Sequence, residues 1–150
     1  MIKVVDFIAA HAEDLIEQGR QDFGVLADAD TTMKPYFEVV AGMPNMAYSM
    51  IDDGHLVAAA GLYKVWEGVG EAWLLPSSRL LAKPRNAVKA VRSFLDEISE
   101  REGFRRVQAT THADFVRGRR FLEWLGFENE GVLRGYGPDG SDHIIYSRIK

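Results

Sequence analysis

Apolar residues recur along the chain with two different periods, and each period predicts a different kind of element. Residues 2–7 are rich in β-branched side chains and predict a short strand. After this strand the apolar positions return every three or four residues, which predicts an amphipathic helix that ends at Gly19. Within residues 20–46, a threonine pair before Pro35 predicts the start of one short helix, and the run from Gly42 to Asn45 predicts its end.

A meander of three strands is predicted in the middle of the chain. The segments 47–51 and 56–65 flank an Asp-Gly pair at 53–54, which favours the positive φ angles of a tight hairpin turn. A second break leads into a strand at 69–75, which Pro76 ends. These three segments are therefore expected to pair antiparallel in chain order.

The second half of the chain alternates helices and strands. Beyond Pro84 the apolar residues keep helical spacing over a long stretch that ends near Gly103. The remaining predicted elements are a strand at 106–111, a helix at 116–125, and two strands at 127–136 and 143–149. The order β-α-α-β-β-β-α-β-α-β-β predicts a single α/β domain over residues 1–150.

Composition excludes several classes of protein. A chain of 150 residues that is 47% hydrophobic and 27% charged is typical of a globular domain and not of a disordered, collagenous or coiled-coil protein. Without cysteine it has no disulfide, thiolate nucleophile or cysteine-bound metal, and its four histidines lack paired metal spacing, so no metal is expected. No apolar run approaches the ~20 residues of a membrane span and the start of the chain lacks a signal-peptide layout, so a cytoplasmic location without membrane partners is expected.

Charge is distributed unevenly along the chain. The net charge is −4, but residues 79–120 hold eleven Lys and Arg against five acidic residues, a net charge of +6. An anionic ligand would therefore prefer this segment. The alternative is that these side chains are solvated helix faces without a ligand.

The helix and turn at 117–127, which read Arg-Gly-Arg-Arg-Phe-Leu-Glu-Trp-Leu-Gly-Phe, carry a family resemblance. Together with the order of elements over nearly the whole chain, they resemble the GNAT family of N-acetyltransferases. The short chain and the run 127–150 resemble in particular the small GNAT-like proteins of tailed phages and prophages. The resemblance implies a mixed, twisted seven-stranded sheet whose fourth and fifth strands separate.

The same resemblance implies that acetyl-CoA enters the gap between the strands at 69–75 and 106–111. Its pyrophosphate would lie on backbone amides at the N-terminus of the following helix, an arrangement that favours anions. The loop at 76–87 would supply this site, and Leu75 would offer its N–H to the thioester carbonyl. The guanidinium groups of Arg117, Arg119 and Arg120 match the geometry of the 3′-phosphate or of a nucleic-acid backbone; the alternative is that they are solvated on a surface helix. The implied cofactor-binding residues are Leu75, Arg79, Lys83, Arg85, Asn86, Val88, Arg117 and Arg120.

Two positions depart from the family's pattern. The family's phosphate loop contains glycine, but no glycine lies between Glu71 and Glu102, and two registers fit equally poorly: Arg85-Val88-Ala90 and Lys83-Asn86-Val88. The tyrosine that commonly protonates the leaving thiolate is replaced by Leu122.

Glu71 is the candidate general base, because family members place a carboxylate on the fourth strand to deprotonate the substrate ammonium. Strand alternation puts it on one face with Val69, Trp73 and Leu75. The alternative is a solvated glutamate at the end of a strand. Tyr136 is the nearest candidate for the proton donor that Leu122 does not supply.

Three functions are compatible with these features. The first is acetyl transfer from acetyl-CoA to the primary amine of a small molecule or protein, by direct attack, in a monomer or homodimer. The second is a catalytically degenerate module that acts as a virion structural protein or binds a host protein, in the host cytoplasm or the virion. The third, a nucleic-acid binder, is disfavoured by the net charge of −4 and the absence of an aromatic stacking motif.

Overall fold

The computed structural model describes residues 2–22, 34–43 and 45–150. Its helices are α1 (Ala9–Asp22), α2 (Lys34–Ala41), α3 (Ser78–Ala82), α4 (Pro84–Glu102) and α5 (Val116–Trp124). Its strands are β1 (Ile2–Asp6), β2 (Ala47–Asp52), β3 (His55–Trp66), β4 (Val69–Pro76), β5 (Arg106–His112), β6 (Glu128–Leu133) and β7 (His143–Ile149). The strands form a seven-stranded sheet in the order β1-β2-β3-β4-β5-β7-β6. Because β4 and β5 pair parallel while β5 and β7 pair antiparallel, the predicted mixed sheet is confirmed.

The chain divides into two compact units, of which the first comprises residues 1–61 and 74–87. In this unit β1 and β2 pair antiparallel along their whole length. Phe7, directly after β1, is buried and meets Phe37 of α2 edge-on, with ring centroids 6.3 Å apart. His11 of α1 shares a 2.7 Å hydrogen bond with the buried Ser49 of β2. The helices of this unit are thus fixed by both apolar and polar contacts.

The second unit comprises residues 62–73 and 88–150. The apolar positions of α4 that the sequence places at helical spacing, Val91, Leu95 and Ile98, are buried. The strand β7 lies between β5 and β6 and pairs antiparallel with both. The edge strand β6 carries a register shift between Asn129 and Gly131, where the Asn129 side chain accepts a hydrogen bond from the Gly131 N–H.

Most predicted elements are confirmed within a residue or two. Asp53 and Gly54 have φ angles of 51° and 76°, as the predicted tight turn requires, and Gly103 ends α4 with φ 69°. The one helix predicted within 20–46 is α2, although the threonines proposed to begin it lie outside the described residues. Within the described ranges, no helix combines the length and apolarity needed to cross a membrane.

Two predicted boundaries are wrong. The helix α1 does not end at Gly19 but continues to Asp22, because a glycine inside a helix costs only about 1 kcal/mol relative to alanine and stops it only when the cap geometry follows. The strand β6 ends at Leu133 and not at Tyr136. Gly135 has φ 65° and donates its N–H to the Asp142 carboxylate at 2.9 Å, which turns the chain out of the ladder.

Gly70 of β4 is a position that requires glycine. A Cβ built there would lie 2.6–3.0 Å from three ring carbons of Phe104, a side chain only 2% exposed. The ring of Phe104 therefore packs directly on the backbone of β4, one residue before Glu71. Substituting alanine would displace either the ring or the strand.

We expect Gly70→Ala to lower the free energy of unfolding by about 1–3 kcal/mol, because the added methyl group overpacks a filled core. Urea denaturation monitored by circular dichroism measures this change. Gly42→Ala is the matched control, because its Cβ would meet nothing closer than 3.4 Å. Equal stability of Gly70→Ala and Gly42→Ala would contradict the close packing of Phe104 on β4.

Candidate active site

The strands β4 and β5 separate part of the way along their length. Their parallel pairing consists of Val69 with Arg106, Gly70 with Val107, and Glu71 with Gln108. The strand β4 continues to Pro76, whereas β5 stays paired with β7 as far as His112 opposite His143. The separation predicted for the fourth and fifth strands therefore begins at Glu71.

The residues around this point are accessible. Glu71, Ala72 and Trp73 are each half-buried, although β4 is the middle strand of the sheet. A parallel strand covered on both faces would bury every residue. Successive side chains on a strand point to opposite faces, so partial exposure of all three means that neither face is completely covered here.

Glu71 is held by one hydrogen bond. The Tyr63 hydroxyl of β3 donates to its Oε2 atom at 2.7 Å. Tyr63 is itself half-buried, so the contact lies at the boundary between core and solvent. The second carboxylate oxygen is left to accept a proton or a hydrogen bond from a ligand.

A polar network borders Glu71 on the β5 side. Gln108, the register partner of Glu71, accepts a 3.0 Å hydrogen bond from Arg106 Nε. The two terminal nitrogens of Arg106 donate to the two oxygens of Glu130, at 2.9 and 2.5 Å. The Arg106 hydrogen bond, followed by one from Ser147, lowers the pKa of Glu130 to about 2. This bidentate pair fixes Arg106 and, through it, the amide of Gln108.

The structure places Tyr136 in the loop beyond β6. Its side chain is 55% exposed, and its ring centroid lies 5.3 Å from that of His143. His143 in turn lies 5.5 Å from His112, its register partner at the end of β5. The contacts of Tyr136 within the described chain do not include Glu71, so these two candidates are not brought into direct contact.

The segment 76–87, predicted to be a loop that holds the pyrophosphate, is largely helical. The segment 76–87 contains the last residue of β4, the whole of the short helix α3 and the first turn of α4. Ser77 begins α3: its hydroxyl accepts from Leu80 N at 3.3 Å and donates to the Val57 carbonyl at 2.7 Å. A serine directly after Pro76 is a helix-start signal that could have revealed α3.

The predicted anion-binding residues of this region lie in and around these two helices. Arg79 lies within α3, Lys83 ends it, and Arg85 and Asn86 lie in the first turn of α4, all four exposed. Backbone N–H groups in a first helical turn have no intrahelical acceptor. Exposed N–H groups beside cationic side chains suit a phosphate, although Val88 stands where glycine would let the backbone approach more closely.

Three further predicted residues occupy different surroundings. Leu75 is buried near the end of β4. Arg117 and Arg120 are exposed and three residues apart on α5, and so on one side of that helix. Arg119, between them, makes a hydrogen bond within the protein: its Nε donates to the Tyr146 hydroxyl at 3.2 Å. Among the residues that the structure describes, no group of three or more His, Asp or Glu could hold a metal ion.

Tyr63 is the residue at this site that sequence reasoning missed. The predicted turn between the strands at 56–65 and 69–75 signals that they are neighbours, but it does not fix their register. Glu67 and Gly68 are the two residues between β3 and β4, and a regular hairpin with this turn would pair Lys64, and not Tyr63, with Glu71. The hydrogen bond identifies Tyr63 as the side chain that meets the carboxylate.

No protein-family model and no curated protein sequence matches the chain. Many solved structures match the chain. An acetyltransferase of the GNAT family from Bacillus anthracis aligns with a TM-score of 0.73 at 18% identity, over 99% of this chain and 94% of that one. Ard1 from Thermoplasma volcanium aligns with a TM-score of 0.77 at 14% identity, over 99% and 97%. The microcin self-immunity acetyltransferase MccE, in complex with acetyl-CoA and AMP, aligns with a TM-score of 0.74 at 14% identity, over 99% and 92%.

These similarities show the fold. The chain has the single-domain GNAT fold, a mixed seven-stranded sheet flanked by helices, as the sequence predicts. They do not distinguish a phage-like subtype, so that narrower resemblance stays a prediction.

We expect Ser77→Ala to lower the free energy of unfolding by about 1–2 kcal/mol, because it removes a buried N-cap and leaves Val57 O with one hydrogen bond fewer. Urea denaturation measures the change. Ser93→Ala, at an exposed position of α4, is the control and should be near neutral. A Ser77→Ala variant as stable as that control would contradict the capping role.

We expect Glu130→Gln to lower the free energy of unfolding by up to about 1 kcal/mol at pH 7, because the ion pair is partly solvent-exposed. The lowered pKa of Glu130 means that its stabilising contribution is complete above pH 4.5 and is lost as the pH falls toward 2. Urea denaturation at pH 7 and pH 3 should therefore show a smaller difference at pH 3. Glu128→Gln on the same strand is the control, and a pH-independent difference would contradict this origin.

Proposed function

We propose that this protein is an N-acetyltransferase that transfers the acetyl group of acetyl-CoA to a primary amine, with Glu71 as the general base. The observation that carries the proposal is the position of Glu71. Its carboxylate lies on the last β4 residue that pairs with β5, is half-buried, and has one oxygen not engaged by Tyr63. The solved structures with this fold include an acetyltransferase in complex with acetyl-CoA.

The chemistry requires a base because a primary alkylamine is protonated at neutral pH, and its ammonium form has no lone pair with which to attack. Glu71 would accept the ammonium proton, directly or through one water, so that the amine nitrogen can attack. Acetyl-CoA would supply the activated acetyl group: the C–N bond forms, the nitrogen releases its second proton, the C–S bond breaks and the sulfur takes a proton. Tyr136 remains our candidate for the donor of that last proton, and Leu75 N–H for polarising the carbonyl.

Cofactor binding is assigned to two groups of residues. Arg79, Lys83, Arg85 and Asn86, with Val88 in the same helix, would hold the pyrophosphate on the first turn of α4. Arg117 and Arg120 of α5 would bind the 3′-phosphate, because guanidinium groups match phosphate geometry. Exposed cations beside an exposed first turn fit an anionic ligand.

A second candidate is a catalytically inactive module that binds a host or virion protein. It is favoured by Leu122, which is half-buried where the family's tyrosine would stand, and by the absence of glycine between residues 71 and 102. Such a module would retain the fold but would not bind acetyl-CoA.

The decisive experiment is a calorimetric titration with acetyl-CoA, and with coenzyme A as a control, followed by turnover assays on a panel of small amines and peptides. We expect saturable binding in the micromolar range, about −8 kcal/mol. No binding at millimolar acetyl-CoA would contradict the proposal and favour the inactive module.

We expect Glu71→Gln to leave acetyl-CoA affinity unchanged and to lower kcat by about 10²–10⁴-fold, the usual contribution of a positioned base. Glu67→Gln is the matched control, because Glu67 is exposed in the turn before β4 and pairs with Lys64. Turnover of Glu71→Gln equal to that of Glu67→Gln would exclude Glu71 as the base.

A further inference from the structure

We propose that Tyr63 is a positioning residue that fixes the Glu71 carboxylate for proton transfer. This inference rests on the proposed function, in which Glu71 is the base. It concerns a residue of a neighbouring strand that the motifs of the sequence do not single out.

The direction of the hydrogen bond determines what Tyr63 can do. A carboxylate only accepts, so the phenol is the donor and its proton points at Oε2 of Glu71, 2.7 Å away. A glutamate side chain that is half-exposed would otherwise sample several rotamers. Anchoring one oxygen holds the other in a defined direction, and a base must be held in place to contribute fully to proton transfer.

The group that donates to Glu71, the Tyr63 phenol, carries no charge. On β3, the cation next to Tyr63 is Lys64, and it pairs with Glu67. On β5, Arg106 is engaged by both oxygens of Glu130. Within the described chain, the Glu71 carboxylate thus has a phenol as its hydrogen-bond partner and no paired cation, so it is oriented without being neutralised by a salt bridge.

Tyr63 is anchored well enough for this task. Its strand, β3, continues from Leu62, which is fully buried, and its side chain has only two torsions to fix. In β4, Phe104 packs on Gly70, the residue directly before Glu71. Both the strand that carries the base and the strand that carries its partner are therefore held by core contacts.

The test compares Tyr63→Phe, Glu71→Gln and the double variant in steady-state kinetics. Tyr63→Phe should lower kcat about tenfold with little change in the KM for acetyl-CoA, because the lost hydrogen bond serves the chemical step. In the Glu71→Gln background the same substitution should change kcat less than about twofold, since the base it positions is absent. Tyr48→Phe, on β2 in the other unit, is the matched control and should retain full kcat.

A second measurement detects the hydrogen bond between Tyr63 and Glu71 without an activity assay. Tyr63→Phe should lower the melting temperature in the wild-type background but not in a Glu71→Ala background, where its partner is missing. A melting shift of the same size in both backgrounds would show that the two side chains are not coupled, and would overturn the inference.

The outcomes separate the two proposals. If wild-type protein turns over and Glu71→Gln does not, but Tyr63→Phe retains full kcat, the function stands and the positioning role is overturned. If Tyr63→Phe lowers kcat by the same factor with Glu71 and with Gln at position 71, its role is structural and the inference is again overturned. If wild-type protein acetylates no amine of the panel, the proposed function fails, and the positioning role fails with it even where the melting data show the contact.

Discussion

The early end of the ladder between β4 and β5 is the constraint on which the site depends. The strand β5 is held over all seven residues by β7, so it follows β7 while β4 follows its own course after Glu71. The backbone amides and carbonyls of β4 beyond that residue lose a ladder partner, and buried peptide groups without a partner are costly. Ala72 and Trp73 are only half-buried, so this part of β4 is not fully excluded from water. The position of the Glu71 carboxylate, on which the proposed function relies, thus follows from one feature of strand pairing.

The sequence predicted the elements wherever a local signal was strong. The Asp53-Gly54 turn has the positive φ angles that this dipeptide favours, and the long helix keeps its apolar stripe from Val91 to Ile98 in the core. The short helix α3 was missed because five residues are too few to display a period. Its local signal is Ser77, the serine that begins it, whereas the hydrogen bond of that hydroxyl to the Val57 carbonyl, twenty residues earlier, cannot be predicted from a local pattern.

The candidate site was predictable in part for a related reason. Alternation and the family resemblance select Glu71 from its own strand, and the structure locates it at the separation of β4 and β5. Its partner Tyr63 depends on the register between two strands, and a shift of one residue exchanges Tyr63 for Lys64. The pairing of Arg106 with Glu130 likewise joins residues far apart in the chain. Sequence patterns predict which face a residue takes more readily than which side chain it meets.

The shape of β6 bears on how the protein behaves in a crowded solution. An exposed edge strand offers unpaired N–H and C=O groups that can template the addition of another chain, and sheet proteins commonly protect such edges with bulges and charges. The strand β6 has both: its register shifts between Asn129 and Gly131, and it carries the exposed Glu128 beside the ion pair of Glu130 with Arg106. This edge is therefore poorly suited to continuous β-sheet aggregation.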